Sequence, residues 1–194
     1  AYIERNIKNI QEISEDKKSN NSAITIYKAY DIQSNQNVII KEFDLLRDQF
    51  DEYQTQITSY ENLNHNNIIS PVKYGIIDED GQMHGFIILP YVKGGDLFSA
   101  LKTKIWEYKE NDFIQFAYHL ISVIDYIHSK GIIHRDLKHE NILLEIVNIQ
   151  PDTFSFNPSL FRIIDFGSSI RNYDENSNTN NYFRNTFEYI PPEY

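Results

Sequence analysis

Ile133-His134-Arg135-Asp136-Leu137-Lys138-His139-Glu140-Asn141 is the stretch on which the reading of this chain turns. It sets a carboxylate, Asp136, an ammonium, Lys138, and a carboxamide, Asn141, within a few residues of one another. Downstream, Ile163-Ile164-Asp165-Phe166-Gly167 adds a second carboxylate behind an apolar pair. Carboxylates take up or orient protons, and carboxylate and amide oxygens are the hard ligands that suit Mg²⁺. Asp136, Asn141 and Asp165 are therefore candidate proton- and metal-handling groups.

Working outward, the first third of the chain reads as strands. Ala23–Tyr30 mixes β-branched and aromatic residues, Asp31–Asn37 is polar turn material, and Val38–Phe43 is a short apolar strand. A helix is expected from about Leu46 to Asn62, with Phe50, Tyr53, Ile57 and Tyr60 at helical spacing, ended by Ser70-Pro71. Val72–Ile77 and Gly85–Leu89 fit two more strands joined by the turn Asp78-Glu79-Asp80-Gly81. Asp96 is placed to cap a helix reaching about Trp106, and Asn111 or Asp112 to cap a longer one. The buried stripe of that longer helix would be Phe113, Phe116, Ala117, Leu120, Val123, Ile124 and Ile127, with Gly131 as its C-cap. Strands with one helix, then helices, make an α+β chain.

Bulk properties narrow the class. The 194 residues suffice for one sizeable core or two small lobes, and 41% hydrophobic with 14% aromatic content is globular. A formal charge of −10 argues against a nucleic-acid or anionic-membrane partner and weakly favours basic peptides, although simple solubility explains it as well. No cysteine is present, so there is neither a disulfide framework nor a Cys-based zinc site. No apolar run approaches the roughly 18 residues of a membrane span, and the N terminus has no signal-peptide pattern. Because it begins at Ala1 without Met, the chain is expected to be a fragment. The Asn-rich Asn172–Asn181 stretch reads as flexible loop, and no internal repeat occurs.

The pairing of HRDLKHEN with a downstream DFG resembles the eukaryotic-type protein kinase family, and the resemblance extends to Thr186-Phe187-Glu188-Tyr189-Ile190-Pro191-Pro192-Glu193. It implies a two-lobe fold: an N-lobe of antiparallel strands plus one helix over residues 1–91, then an incomplete helical C-lobe over 92–194. Within the C-lobe the catalytic loop would span 132–141 and the activation segment 165–193, truncated just after the APE-like Pro191-Pro192-Glu193. Several more helices would follow in family members, leaving apolar surface exposed on this chain. The resemblance implies ATP and Mg²⁺ as cofactors, a protein substrate, an upstream kinase acting on the activation loop, and an intracellular location, cytoplasmic or nuclear.

Site residues carry over position by position. Asp136 matches the residue that accepts or orients the proton of the attacking hydroxyl; the competing reading is an Asp capping a turn. Asn141 and Asp165 match the two magnesium ligands. Lys138 matches the lysine that serine/threonine kinases carry where tyrosine kinases usually have Ala, and Thr186 matches the threonine that bonds the catalytic Asp and Lys. Lys41, in Val38-Ile39-Ile40-Lys41, matches the strand lysine that holds the α- and β-phosphates, against a solvated edge lysine. Leu89-Pro90-Tyr91-Val92 looks like gatekeeper plus hinge, with the Pro90 carbonyl and the Val92 N–H on the adenine edge. Asp96 matches the acid that meets the ribose, and a helix N-cap is an equal alternative. Arg135 matches the arginine that receives an activation-loop phosphate on Tyr182, Ser177 or Thr179, against an unmodified loop. His128, His134 and His139 cluster without any cysteine, and a structural role for His134 is preferred to a metal site.

Three departures bear on activity. No glycine precedes Gly75, so Ser19–Ile24 replaces the glycine-rich phosphate loop and Ile24 takes its third glycine position. Counting back from Leu63-Asn64-His65, the helix glutamate that should pair with Lys41 falls at Gln56, which can offer a hydrogen bond but no ion pair. Glu52 lies one turn earlier, about 6 Å away on nearly the same face. Ile39 replaces the small residue usual in the adenine pocket. Each lost charge-assisted contact costs about 1.5–3 kcal/mol, and two lower nucleotide affinity roughly a hundredfold or more. The expected function is thus a serine/threonine protein kinase, since Asp136, Lys138, Asn141, Asp165 and Lys41 are all present. The alternative is a weak or inactive pseudokinase that binds partners or senses nucleotide. A further insertion, about Asn148 to Leu160, has no role legible in sequence.

Overall fold

The computed structural model describes residues 2–18, 22–46, 49–103, 110–145, 149–150, 153–154, 157 and 159–171. Outside these lie Ser19–Asn21, Trp106, the Asn172–Asn181 loop and the activation-segment residues Ser177, Thr179, Tyr182, Thr186 and Pro191-Pro192-Glu193. Two compact units are present: Ala1–Ile57 with Ser70–Tyr91, and Thr58–Ile69 with Val92–Tyr194.

In the first unit a short helix α1 (Tyr2–Asn6) leads into strands β1 (Ile7–Lys18), β2 (Ser22–Asp31) and β3 (Gln36–Asp44). Helix α2 (Phe50–Asn62) follows and carries the chain across into the second unit. Strands β4 (Lys73–Glu79) and β5 (Gln82–Pro90) complete an antiparallel sheet of order β1-β2-β3-β5-β4. Strand β3 carries the apolar run Val38-Ile39-Ile40 and then Phe43, and the two faces of the pleat are used differently. Val38 and Ile40 join Ile7, Ala29, Phe86 and Ile88 in one cluster, which Tyr2 and Ile3 of α1 pack against. Phe43 points to the other face, where its ring meets Tyr53 of α2 edge-on at 5.5 Å. Tyr53 also donates from its hydroxyl to the Gly75 carbonyl at 2.7 Å, fastening the first turns of α2 to the sheet.

The second unit contains α3 (Leu97–Thr103), α4 (Glu110–Ser129), β6 (Ile132–Ile133), a 3₁₀ turn (His139–Asn141) and β7 (Ile142–Leu144). The short strands β8 (Ile149–Gln150), β9 (Thr153–Phe154), β10 (Phe161–Ile163) and β11 (Ile170–Arg171) follow. The pairs β7–β10, β8–β9 and β6–β11 are all antiparallel, and within the 148–160 insertion Ile149 pairs with Phe154 and Gln150 with Thr153. Its core gathers Phe116, Val123 and Ile127 of α4 with Ile132, Ile142, Leu144, Phe161, Ile163 and Phe166. The segment after α2 belongs to this core because Ile69 N–H donates to the Ile163 carbonyl (3.1 Å) and Ile163 N–H to the Asn67 carbonyl (2.8 Å).

Several boundaries differ from the sequence expectation. Helix α2 begins at Phe50, not Leu46, because Leu46 N–H is taken by the Asp44 carboxylate and Asp44 N–H by Gln49 Oε1, a local turn that competes with the helix. Of the residues at helical spacing, Tyr53, Ile57 and Tyr60 are buried and Phe50 is 46% exposed. Asn111 and Asp112 lie within helix α4, which is described from Glu110, and not at its cap, and Phe113 is 63% exposed instead of buried. Helix α1 and strand β1 lie before the first strand expected from the sequence; β1 pairs antiparallel with β2, its neighbour in the chain. Gly131, at φ 68°, closes α4 as expected, its N–H donating to the His128 carbonyl at 2.8 Å. No helix among the described residues is long and apolar enough to cross a membrane.

Candidate active site

In the second unit the loop after β6 is built around a buried imidazole. His134 is 6% exposed, and Asp136 N–H donates to its Nδ1 at 3.3 Å, so Nε2 carries the hydrogen and donates to the Ile164 carbonyl at 3.0 Å. Burial holds His134 below the usual histidine pKa, in the neutral form this bonding requires. His134 thus ties the loop to the strand end that presents Asp165. The Asn141 carbonyl makes a second tie, accepting from Ile164 N–H at 3.0 Å.

Asp136 sits among its partners on this frame. Asn141 Nδ2 donates to the Asp136 carbonyl at 2.8 Å and to Asp136 Oδ2 at 3.1 Å. Lys138 Nζ lies 3.1 Å from the same Oδ2. Sequence reasoning expected these three to act together, and here they share one carboxylate oxygen. Asn141 and Asp165 offer hard oxygen donors of the type Mg²⁺ binds. Groups of three or more His, Cys, Asp or Glu placed for a metal are absent among the described residues.

Asp165 and Arg135 are both held at positive φ, 65° and 63°. Such backbone costs of order 1–3 kcal/mol and persists where the surroundings enforce it. For Arg135 the enforcing bond runs from Nε to the Ser168 carbonyl at 2.6 Å. For Asp165 it is the neighbouring Phe166, wholly buried between two rings: His134 at 4.7 Å and Tyr60, edge-on, at 5.5 Å. Burial, with the Asp165 charge nearby, drives the Tyr60 phenol far above its ordinary range and keeps it neutral. Ser169 caps the turn by donating to the Phe166 carbonyl at 2.7 Å and meets Ser59 at 2.8 Å. Helical spacing showed that Tyr60 is buried; that it supports Phe166 depends on contacts across about a hundred residues, which no local pattern carries. Asp96 is a helix N-cap: Oδ1 accepts from Ser99 N–H at 2.7 Å and Oδ2 from the Ser99 hydroxyl at 2.8 Å.

In the first unit Lys41 sits in mid-strand on β3, paired with Ile26 and Ile87, and is 7% exposed, which removes the solvated-edge reading. Gln56 is fully buried and neither amide atom has a hydrogen-bond partner among the described residues, which corrects the expectation that it could bond Lys41. Ile24 is buried on β2, and Ile39 pairs with Leu89. Pro90 ends β5 opposite Val38, where its missing N–H is tolerated, and Val92 begins the next segment.

Comparison with known proteins agrees with this picture. The protein kinase domain family matches residues 22–194. "Mitogen-activated protein kinase kinase kinase nsy-1" of Caenorhabditis elegans is 28% identical over 171 residues, 87% of this chain and 11% of that protein. "Serine/threonine-protein kinase CG17528" of Drosophila melanogaster is 32% identical over 143 residues, covering 73% of this chain and 18% of the relative. "CBL-interacting protein kinase 15" of Oryza sativa subsp. japonica is 33% identical over 126 residues, 62% and 27% respectively. The chain spans about a quarter or less of the length of these relatives. A five-stranded antiparallel sheet with one helix, followed by a unit carrying His134–Asn141 and Asp165–Gly167, makes up a two-lobe α+β fold of the kinase type. The chain belongs to the protein kinase family.

Proposed function

We propose that this chain is the phosphotransfer part of a serine/threonine protein kinase that moves the γ-phosphate of ATP to a protein hydroxyl. The observation that carries the reading is the convergence of Asn141 and Lys138 on Asp136 Oδ2. A carboxylate with one oxygen so occupied is oriented, and its other oxygen can accept the proton of an attacking hydroxyl. Lys138 supplies positive charge beside the phosphate being transferred, and Lys41 does the same for the α- and β-phosphates. Asn141 and Asp165 would hold Mg²⁺, which neutralises phosphate charge when bound. The Pro90 carbonyl and Val92 N–H would meet adenine, and Asp96 the ribose, in addition to its cap. Lys138 and Thr186 favour serine and threonine substrates, as do the names of several relatives. An upstream kinase acting on the activation segment would use Arg135 as its phosphate receiver.

A second reading is favoured by one feature: no glycine occurs in Ser19–Ile24. Without close approach of backbone amides to phosphate, the chain would bind nucleotide or a partner and transfer nothing. Transfer of ³²P from Mg-ATP to a basic Ser/Thr protein, with Asp136→Asn as control, separates the two. Base removal should cost about 10²–10⁴ in rate. Equal signal from parent and variant at millimolar ATP would remove the enzyme reading.

A further inference from the structure

Helix α1 is too short to stand alone. It spans five residues, Tyr2–Asn6, and none of them is buried. A helix of this length is unstable in isolation, so its contacts with the sheet hold it. Tyr2 and Ile3 rest on the apolar cluster that includes Val38, Ile40 and Ile88. The Asn6 carbonyl accepts from the N–H of Ile32, just past β2, at 2.9 Å. The Lys73 ammonium of β4 lies over the Tyr2 ring, 4.4 Å from its centre.

The phenol end of Tyr2 enters a built socket. Its hydroxyl donates to the Asp31 carboxylate, 3.1 Å from Oδ2 and 3.3 Å from Oδ1. Asp31 is wholly buried, and its other partners are donors too: the Ser34 hydroxyl at 2.6 Å and the Gln33 N–H at 3.1 Å. Burial would raise the Asp31 carboxyl, but these donations outweigh it and hold the group below its ordinary pKa. Burial and the Asp31 carboxylate in turn raise the Tyr2 phenol, which stays neutral. The socket therefore takes a donor and repels an anion. Capping of the turn after β2 accounts for Ser34 and Gln33, but not for a tyrosine 29 residues away.

We propose that Tyr2 is a phosphorylation switch: its hydroxyl latches α1 to the sheet, and a phosphoryl group on Oη releases the helix and uncovers the apolar cluster beneath. A tyrosine kinase would move the γ-phosphoryl group of ATP onto Oη. The Oη–P bond forms, the bond to the β-phosphate oxygen breaks, ADP leaves, and the phenol proton passes to a base of the modifying enzyme. The product carries a charge of about −1.5 to −2 where the socket needs a donor, beside a buried carboxylate. A strap with no buried residue can lift to present the phenol. The switch is independent of the phosphotransfer reading above.

The test uses the full chain with phosphotyrosine genetically encoded at position 2, alone and with Asp31→Asn, beside Tyr2→Phe and the parent. Hydrogen exchange at the Ile32 amide, followed by NMR, reads the bond to Asn6, and the paired amides of β3 and β5 report the sheet. Tyr2→Phe should speed Ile32 exchange about tenfold and phosphotyrosine about a hundredfold, with the sheet amides unchanged within about twofold. Asp31→Asn should recover part of the phosphotyrosine effect, because an amide carries no charge and can donate. Ile32 exchange unchanged by the phosphate, or slowed through its capture by Lys73, would overturn the switch. So would sheet amides that accelerate in step with Ile32, since α1 would then open only with the whole fold. Incubation of the parent with a broad-specificity tyrosine kinase and Mg-ATP, mapped by mass spectrometry, should place phosphate on Tyr2. Its absence from Tyr2 would overturn the assignment of that residue as the modified one.

Discussion

Replacing Gly85 by alanine tests how α2 is seated on the sheet. An alanine Cβ at this position would stand 2.8 Å from Cδ2 and Cε2 of Tyr53 and 3.0 Å from Leu45 Cδ2. Carbon atoms prefer about 3.5 Å or more, so the ring must move by roughly 0.7 Å. Tyr53 cannot yield freely: it is 2% exposed, stacked edge-on to Phe43, and bonded to the Gly75 carbonyl at 2.7 Å. Overpacking of this kind costs about 1–3 kcal/mol, and a broken hydroxyl bond adds about 0.5–1.5. Alanine returns about 0.5–1 kcal/mol through its lower chain entropy in a strand interior. The expected net is a loss of about 1–3 kcal/mol, read from urea unfolding followed by circular dichroism. The same substitution in a Tyr53→Ala background should cost less than about 0.5 kcal/mol, because the opposing ring is gone. A neutral Gly85→Ala, or an equal cost in both backgrounds, would show that α2 is not held on the sheet by this contact.

Asn141→Ala removes both donations to Asp136, one to a carbonyl and one to a carboxylate. It should lower stability by about 2–4 kcal/mol, and should lower phosphate transfer further than that loss of folded protein explains; transfer per folded molecule equal to the parent would refute the orienting role. Acid should destabilise the protein before any carboxylate titrates. The folded chain resists protonating His134, whose pKa is depressed by burial, whereas the unfolded chain takes a proton near pH 6.5. The His134 contribution is thus complete above about pH 6.5 and is lost as pH falls toward the folded value, at up to about 1.4 kcal/mol per pH unit. Urea midpoints between pH 7.5 and 5.5 should fall in the parent and fall less in His134→Gln; equal slopes would place the titration elsewhere.

Much of the site was legible because its chemistry is local. His134 to Asn141 fit within one loop, so residue types at fixed spacing announce the Asp136 cluster, and an Asp-Phe-Gly further on announces the partner carboxylate. Gly131, Asp96 and the strands around Lys41 were equally readable, since caps, turns and alternation depend on near neighbours. The failures are also local in cause. Leu46 and Phe113 carry apolar side chains at helical spacing, and periodicity reports where apolar residues recur, not whether a turn intervenes or a neighbour covers them.

By itself the sequence determined the family, the order of strands and helices, and which side chains are able to handle protons, phosphate and Mg²⁺. It also raised the question of position 56. Tertiary structure alone decided that Phe166 is clamped between Tyr60 and His134, that Arg135 and Asp165 are held in left-handed backbone, and that the Gln56 amide makes no bond among the described residues while Lys41 and Glu52 are both buried. The reason is physical: composition and spacing act over one or two helical turns, whereas burial, and the partner that a buried charge requires, depend on segments that meet only when the chain has packed.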